Sequence, residues 1–223
     1  MWTPNTTDAQ GRRYCYGNQP GIAQWNLARL AEALLPVVER AELEAGLNAY
    51  ADTFNEGWRQ ALGAKLGLTG LRDEDEALTS ELLEALAESE TDFTLFFRHL
   101  ADVPGEGSDA DLLAPLAPAF YDEGASHERL VAWLRRYATR VAGDSVTERR
   151  NRMNSVNPKY VFRNYLAQQA IDALEGGDAS RLERLMRCLQ RPYDDQPEFD
   201  EYSARRPEWA RHKAGCSALS CSS

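Results

Sequence analysis

The side chains best suited to metal binding or nucleophilic catalysis in this 223-residue chain are those of its four cysteines and three histidines. His99, His127 and His212 lie on separate segments, and none has the H-E-x-x-H or Cys–His spacing of a zinc site. Cys188 and a histidine could be drawn as a nucleophile and its base, but the leucine-rich helical pattern around Cys188 predicts a buried thiol. We therefore interpret Cys188 as a core residue and the histidines as surface residues.

Phosphoryl or nucleotidyl transfer needs a phosphate cradle, cationic groups and a carboxylate that holds magnesium. The sequence contains no G-x-G-x-x-G, no G-x-x-x-x-G-K-[ST], no D-F-G and no H-R-D. Gly176-Gly177 is better explained as a helix C-cap, with Asp178 capping the helix that follows. The run Asp73 to Glu76 fits the first turn of a helix better than a metal site, because four consecutive carboxylates on a helix do not converge.

An aromatic, Arg-rich loop from Gly11 runs directly into a well-started helix near the N-terminus. Asn18 is a candidate cap, and Pro20 suits the first helical turn, where its missing N–H has no cost. Taken alone, the segment is typical of a packed loop with aromatic anchors. A globular domain usually has elements before such a loop, so its early position suggests that the chain begins inside a larger fold.

Helical spacing of apolar residues recurs along most of the chain and predicts a mainly α fold. The clearest stripe lies on one face of a long helix that ends near Gly67 to Gly70, and consists of Leu43, Leu47, Tyr50, Phe54, Trp58 and Leu62. Thr91 or Asp92 can cap a phenylalanine-rich helix, and Asn157-Pro158 is expected to start the helix that contains Tyr165. Beyond Arg191 the pattern stops, and a proline-rich, acidic tail follows with four aromatic residues as possible anchors: Tyr193, Phe199, Tyr202 and Trp209.

Composition narrows the range of partners. A formal charge of −10 disfavours nucleic acid and anionic membranes. No apolar run is long enough to span a bilayer, and Met1 to Asn18 lacks the apolar region of a secretory signal. We therefore expect a cytoplasmic protein with no nucleic acid or membrane partner.

Three ordered segments resemble the selenoprotein O family, also called the YdiU family of protein adenylyltransferases. The first matches N-x-S-D-x-x-G-R-Y-x-Y-x-N-Q-P-x-x-x-x-W-N-L through Asn5, Asp8, Gly11, Arg12, Tyr14, Asn18, Gln19, Pro20, Trp25, Asn26 and Leu27. The second, Met153 to Asp178, is similar to M-N-x-x-N-P-x-x-x-x-R-N-x-x-A-x-x-A-I. The third is the ending, with Tyr202, Pro207, Trp209 and Cys221-Ser222-Ser223. The chain departs from the first pattern at Thr7, where serine is usual, and by an additional Arg13.

The resemblance implies a kinase-like fold in which AMP passes from ATP to Ser, Thr or Tyr hydroxyls of proteins, with Mg or Mn as cofactor. In that family the nucleotide-binding and catalytic residues precede the N-x-S-D segment, so the resemblance implies no catalytic, cofactor-binding or metal residue in this chain. We therefore expect the isolated chain to be inactive. The expected partners are an upstream kinase-like catalytic part and the protein substrates of the full-length enzyme.

The resemblance also concerns the cysteines. Cys221 occupies the position where some family members carry selenocysteine, which pairs in several of them with a cysteine just before the N-x-S-D motif. Pro4 stands at that partner position here, so the usual pairing cannot form. Cys15 with Cys221, and Cys216 with Cys221, stay as alternative redox hypotheses. Arg163, inside the second segment, is expected to bond helix ends or a nearby loop rather than a substrate.

Two hypotheses for the chain follow. It is the C-terminal helical part of a selenoprotein O-like AMP transferase, or a stand-alone helical interaction module without transferase activity. The expected organisation is an activation-segment-like loop over residues 1–20, a helical domain over 21–190, and an extended tail with the terminal cysteines over 191–223.

Overall fold

Helices make up nearly all the regular structure in the computed structural model, which describes residues 15–122, 127–213 and 216. The α-helices are α1 (Gln19–Leu34), α2 (Arg40–Lys65), α3 (Glu74–Glu88), α4 (Phe93–Leu100), α5 (Asp109–Leu113), α6 (Glu128–Val141), α7 (Val146–Val156), α8 (Asn164–Glu175) and α9 (Ser180–Leu189). Short 3₁₀ helices cover Tyr16–Asn18, Ala114–Ala119, Pro197–Ser203 and Glu208–Ala210. Over those described ranges, strand pairing is limited to one antiparallel bridge between Thr91 and Phe120. The mainly α fold predicted from the sequence is confirmed.

The chain divides into two compact units, whose described parts are residues 15–61 and residues 62–122, 127–213 and 216. In the first unit, the apolar stripe of α2 from Leu43 to Trp58 is half-buried, and the residues between its members are exposed except for the half-buried Ala51. Tyr50, on that stripe, donates its hydroxyl to the carbonyl of Pro20 at 3.0 Å. Cys15 is the single buried residue among the described residues of this unit, so the two helices enclose almost no core.

The second unit contains the main hydrophobic core. α3 packs against α6, and α4 packs against the 3₁₀ helix Ala114–Ala119. Trp133 on α6 is fully buried and donates its indole N–H to the carbonyl of Leu78 on α3 at 2.7 Å. Its ring stacks on that of Tyr137 with centroids 5.1 Å apart. A buried indole needs a hydrogen-bond acceptor, and this bond fixes the register between the two helices.

Two helix ends follow the sequence prediction closely. The side chain of Asp92 accepts a hydrogen bond from the backbone N–H of Leu95, which caps α4. At the end of α8, Gly177 has a φ of 86° and its N–H bonds the carbonyl of Leu174. The N–H of Asp178 bonds the carbonyl of Ala173, so the glycine pair closes α8 as expected.

The prediction that Asn157-Pro158 starts a helix is wrong, because α8 begins at Asn164. Asn157 is extended, with φ −103° and ψ 104°, which is the conformation favoured before proline. The N–H groups of Lys159 and Tyr160 both bond the carbonyl of Pro192, at 2.8 and 3.1 Å. These bonds hold the residues after Pro158 against the segment that follows α9, so α8 begins only at Asn164.

The segment after Arg191 is more ordered than the extended tail that the sequence predicts. Its described residues include the 3₁₀ helices Pro197–Ser203 and Glu208–Ala210. Phe199 is buried in a cluster with Tyr160 and Cys188, with Tyr202 packed against it. Burial of aromatic side chains therefore folds a segment whose proline content suggested an extended chain. Within the described ranges, no helix has the length and apolar character needed to cross a bilayer.

Candidate functional site

The second signature segment, Met153 to Asp178, joins α7 to α8 and is the best-described candidate site. Met153, Asn157 and Tyr160 are fully buried. The hydroxyl of Tyr160 donates to the carbonyl of Gln196 at 2.9 Å. The segment therefore lies between the helical core and the chain after α9, where its side chains contact both.

Asn157 and Lys65, 92 positions apart, bond each other reciprocally. Lys65 Nζ donates to the Asn157 side-chain oxygen at 2.8 Å, and the Asn157 amide donates to the Lys65 carbonyl at 2.8 Å. Nζ also lies 4.7 Å from the centre of the Phe97 ring. Burial lowers the pKa of Lys65. The asparagine thus closes the C-terminal end of α2, where backbone carbonyls lack helical partners.

Arg98 of α4 collects three backbone carbonyls. Its guanidinium donates to the carbonyl of Asn154 at 3.2 Å, of Asn157 at 3.0 Å and of Tyr193 at 3.2 Å. Burial lowers the pKa of this guanidinium, with the charges of Asp195 and Asp102 opposing the shift. One side chain therefore links α4, the end of α7 and the chain after α9.

Arg163 and Asp92 form a nearly buried, bidentate ion pair. Nη1 and Nη2 of Arg163 lie 2.5 and 3.0 Å from the two carboxylate oxygens of Asp92. The two side chains are 14% and 4% exposed. Burial opposes the charged form of Arg163, but the hydrogen bonds and charge of Asp92 raise its pKa above the ordinary value. The expectation that Arg163 bonds a helix end is confirmed, because Asp92 is the cap of α4.

A second buried arginine lies just before the segment. Arg149 of α7 donates Nη2 to the carbonyl of Val103 at 2.5 Å, and its guanidinium lies 5.9 Å from the centre of the Tyr137 ring. Tyr137 donates its hydroxyl to the carbonyl of Leu66 at 2.8 Å. Burial raises the pKa of Tyr137 to about 12. Both polar side chains bond backbone carbonyls, so they hold α6 and α7 against the residues that follow α2 and α4.

Sequence reasoning found Arg163 but missed Asp92 as its partner, and it missed Lys65 and Arg98 altogether. Asp92 carried a signal as a cap, whereas Lys65 and Arg98 are ordinary residues of predicted helices. Their partners lie 56 to 95 positions away, and no local spacing marks such pairs.

The first part of the first signature segment, Asn5 to Tyr14, lies outside the described residues. Its described part begins at Cys15, forms the 3₁₀ helix Tyr16–Asn18 and continues into α1. Pro20 is in the first turn of α1, as the sequence predicts, although Asn18 makes no side-chain cap. The rings of Tyr16 and Trp58 lie 6.4 Å apart.

Three of the four cysteines are described, and each is a buried free thiol: Cys15, Cys188 and Cys216. Burial, with a smaller contribution from the charge of Glu198, raises the pKa of Cys188 to about 11. The prediction that Cys188 is a core thiol is confirmed. Burial also raises the pKa of Cys216, which packs against Tyr165 and its neighbours. Cys221 lies outside the described residues, so the pairings of Cys221 with Cys15 or Cys216 stay predictions.

The acidic run at the start of α3 is a structural element rather than a ligand set. Asp75 is buried and receives Nε and Nη2 of Arg140 at 2.8 and 3.0 Å and the backbone N–H of Arg72 at 2.8 Å. Across the described part of the chain, no three His, Cys, Asp or Glu side chains converge to hold a metal ion. We assign no step through a metal ion or a nucleotide to the acidic run, because its buried member Asp75 is already paired with Arg140.

The sequence of this chain is similar to one family of known proteins. Residues 1–190 match the family model described as "Protein adenylyltransferase SelO". Each relative below is called "Protein nucleotidyltransferase YdiU", and each match covers 100% of this chain. The relative from Nitrosospira multiformis is 53% identical over 252 residues, that from Xanthomonas campestris pv. campestris 51% over 228, and that from Rhodopirellula baltica 49% over 240.

The chain spans less than half the length of the curated relatives it matches, between 43% and 45% of each of these three. The matched portion is their C-terminal one. A match over residues 1–190 and about 50% identity along the whole chain are far more than local motif similarity. The chain belongs to the SelO family of protein adenylyltransferases.

Proposed function

We propose that this chain is the C-terminal helical part of a protein AMP transferase with a kinase-like fold. In this proposal the preceding part binds ATP with Mg or Mn and transfers AMP to Ser, Thr or Tyr hydroxyls of protein substrates in the cytoplasm. This chain itself contributes no residue to the ATP-binding and catalytic site of the transferase. The observation that carries the proposal is the whole-chain similarity to relatives of more than twice its length.

The exposed apolar side chains of the first unit support the proposal that another part of the protein packs against them. α1 and the α2 residues up to Ala61 contain no buried residue, although α1 carries several large apolar side chains. Leu30 of α1 is 55% exposed, and Leu35, the residue after the helix, is 39% exposed. An amphipathic helix gains most of its stability from packing its apolar face. In the proposal, the preceding kinase-like part covers this face.

The second unit supports a scaffolding role for the second signature segment. Asn157 and Arg163 bond Lys65 and Asp92 within the chain. The side chains of Asn157 and Arg163 therefore have structural roles, which fits a domain that positions a neighbouring catalytic part.

The proposed redox element is separate: a disulfide of Cys221 with Cys15 or with Cys216 would tie the end of the chain to one of two buried thiols. Opening at least one buried position is a requirement of either pairing.

The test is AMP transfer by the purified 223-residue chain. The chain is incubated with ATP and Mg²⁺ or Mn²⁺, with and without an added protein acceptor, and intact mass spectrometry measures AMP adducts on both. The Nitrosospira multiformis relative serves as the positive control. We expect metal-dependent adducts with the relative and none with this chain. Metal-dependent transfer by the chain alone would overturn the proposal.

The redox element has its own measurement. Oxidised protein is digested without reduction and its disulfide peptides are mapped. A Cys15–Cys221 or a Cys216–Cys221 peptide supports the element and decides between the pairings. Complete alkylation of all four thiols in oxidised protein would reject both pairings and leave the transferase proposal intact.

A further inference from the structure

We propose that a cleft between α8, α9 and residues 201–207 binds a phosphate monoester carried on a flat or apolar body. The cleft has a volume of about 530 Å³ and lies within the second unit. This volume is in the range of small-ligand sites, roughly 300–1,000 Å³. The structural role proposed for the second signature segment does not explain why this cleft is present.

The floor of the cleft is apolar and rigid. Tyr165, Leu166 and Leu185 line it and belong to one buried cluster. The Tyr165 hydroxyl donates to the carbonyl of Ala204 at 3.2 Å, which fixes the ring against the opposite wall. Trp209 packs edge-on against Tyr165, with ring centroids 6.3 Å apart. A flat ligand body can therefore rest on a surface whose side chains are already held in place.

The rim is cationic. Arg181, Arg184 and Arg205 line the cleft together with a single carboxylate, that of Glu201. Nη2 of Arg184 lies 3.3 Å from a carboxylate oxygen of Glu201 and donates to the backbone carbonyl of Glu198 at 3.0 Å. Arg205 donates to the backbone carbonyl of Phe120, and its guanidinium lies 5.7 Å from the centre of the Tyr121 ring. Among the residues that line the cleft, three arginines therefore outnumber one carboxylate, in a chain whose formal charge is −10.

Arg181 is the rim residue most available to a ligand. It is exposed in the first turn of α9, close enough to Asp178 that its charge helps, after the hydrogen bonds with Ser180, to lower the pKa of that carboxyl. Guanidinium groups bind phosphate oxygens through paired, charge-assisted hydrogen bonds. The start of a helix favours the same charge. An apolar floor under an arginine rim thus selects an anion with an attached body over a bare ion.

Two sources share this chemistry, a free nucleoside monophosphate and a phosphorylated tyrosine side chain. The full chain is titrated by isothermal titration calorimetry with AMP, which represents the nucleotide, and with phenyl phosphate, which represents the modified tyrosine. Adenosine and inorganic phosphate are titrated as controls for the body of the ligand and for its anion. We expect at least one of the two monoesters to bind saturably. Inorganic phosphate and adenosine should each bind more weakly than that monoester. Binding of AMP alone assigns the cleft to a nucleotide, and binding of phenyl phosphate alone assigns it to a modified tyrosine.

The matched variants are Arg181→Glu and Arg187→Glu, which make the same charge change on the same helix. Arg187 is exposed and does not line the cleft. We expect Arg181→Glu to weaken binding by about tenfold or more, which corresponds to about 1.4 kcal/mol, and Arg187→Glu to change it by less than about twofold. Ala204→Glu, at an exposed lining position, should also weaken binding. Circular dichroism checks that each variant is folded.

Absence of saturable binding of every probe at concentrations up to about 10 mM would overturn the proposal. Equal weakening by Arg181→Glu and Arg187→Glu would also overturn it, because the effect would then come from the general charge of the surface. Neither outcome depends on AMP transfer by the family protein. Failure of this inference is therefore separable from failure of the proposed function.

Discussion

Replacing Arg163 by methionine should destabilise the second unit far more than the same change at an exposed ion pair. In the native chain, Arg163 neutralises Asp92 through two hydrogen bonds, and the Asp92 side chain is only 4% exposed. Methionine retains most of the side-chain volume but leaves the Asp92 carboxylate buried without its counter-charge. Loss of one partner of a buried pair costs about 3–5 kcal/mol. Asp92 keeps its bond to Leu95 N–H, which places the expected cost near the lower end, about 3 kcal/mol.

The matched control is Arg135→Met. Arg135 pairs with Asp109 at 2.6 Å, but the two side chains are 63% and 52% exposed. Such surface pairs contribute about 0–1 kcal/mol. The assay is urea unfolding, followed by tryptophan fluorescence and by circular dichroism, with coincident transitions and an unchanged slope as the test of a two-state comparison.

A double-mutant cycle isolates the pair itself. Asp92→Asn retains a side-chain oxygen for the α4 cap while it removes the charge that Arg163 neutralises. We expect the double variant Asp92→Asn with Arg163→Met to be more stable than the sum of the single changes predicts, by about 1–3 kcal/mol. Equal costs for Arg163→Met and Arg135→Met, or additive effects in the cycle, would refute the assignment of this pair as the link between α4 and the second signature segment.

Three further predictions test other parts of the structure. Gly67 and Gly70 both have positive φ, 68° and 61°, but a Cβ on Gly67 would lie 2.7 Å from a buried methionine side chain, and one on Gly70 would meet nothing within 4 Å. Urea unfolding should therefore show Gly67→Ala to cost at least about 1 kcal/mol more than Gly70→Ala, and equal costs would contradict the close packing of Met153 against Gly67. Burial raises the pKa of Asp75, but hydrogen bonds from Arg140 and from the Arg72 amide outweigh it and hold the pKa below its ordinary value. The stability that Asp75 contributes is therefore fully present above about pH 4 and is lost as the pH falls below it. Unfolding midpoints in this acid range should fall less steeply for Asp75→Asn than for the native chain. Because its pKa is about 11, Cys188 should escape alkylation of the native protein at about pH 8 and react fully in denaturant, as peptide mass spectrometry can measure.

Local features of the fold could be predicted from the sequence because their causes are local. The spacing of Leu43 to Leu62 predicts α2, and Asp92 and Gly177 mark helix ends through their own side-chain or backbone properties. The start of α8 could not be predicted, because it depends on bonds from Lys159 and Tyr160 to the carbonyl of Pro192. That carbonyl lies about thirty positions away, and no periodic pattern encodes it.

The candidate site shows the same division. The expectation that Arg163 bonds a helix end came from the general need of a buried arginine for partners, and the structure supplies Asp92, 71 positions away. The reciprocal bonds of Asn157 with Lys65 span 92 positions and could not be foreseen. Likewise, the arginine rim of the cleft joins residues from α9 with residues beyond position 200, which become neighbours only when the chain after α9 folds back.

We propose that this chain supplies a non-catalytic helical part to an AMP transferase, and AMP transfer by a chimera is the test of that role. In the chimera, this chain replaces the matching portion of the Nitrosospira multiformis relative, to which it is 53% identical. The measurement is the rate of metal-dependent AMP transfer to a protein acceptor. We expect the chimera to transfer AMP within about tenfold of the parent's rate and neither piece to transfer it alone. Arg163→Met should reduce the activity of the chimera, and Arg135→Met should preserve it. A folded chimera without activity, or full activity of the relative's preceding part alone, would contradict it.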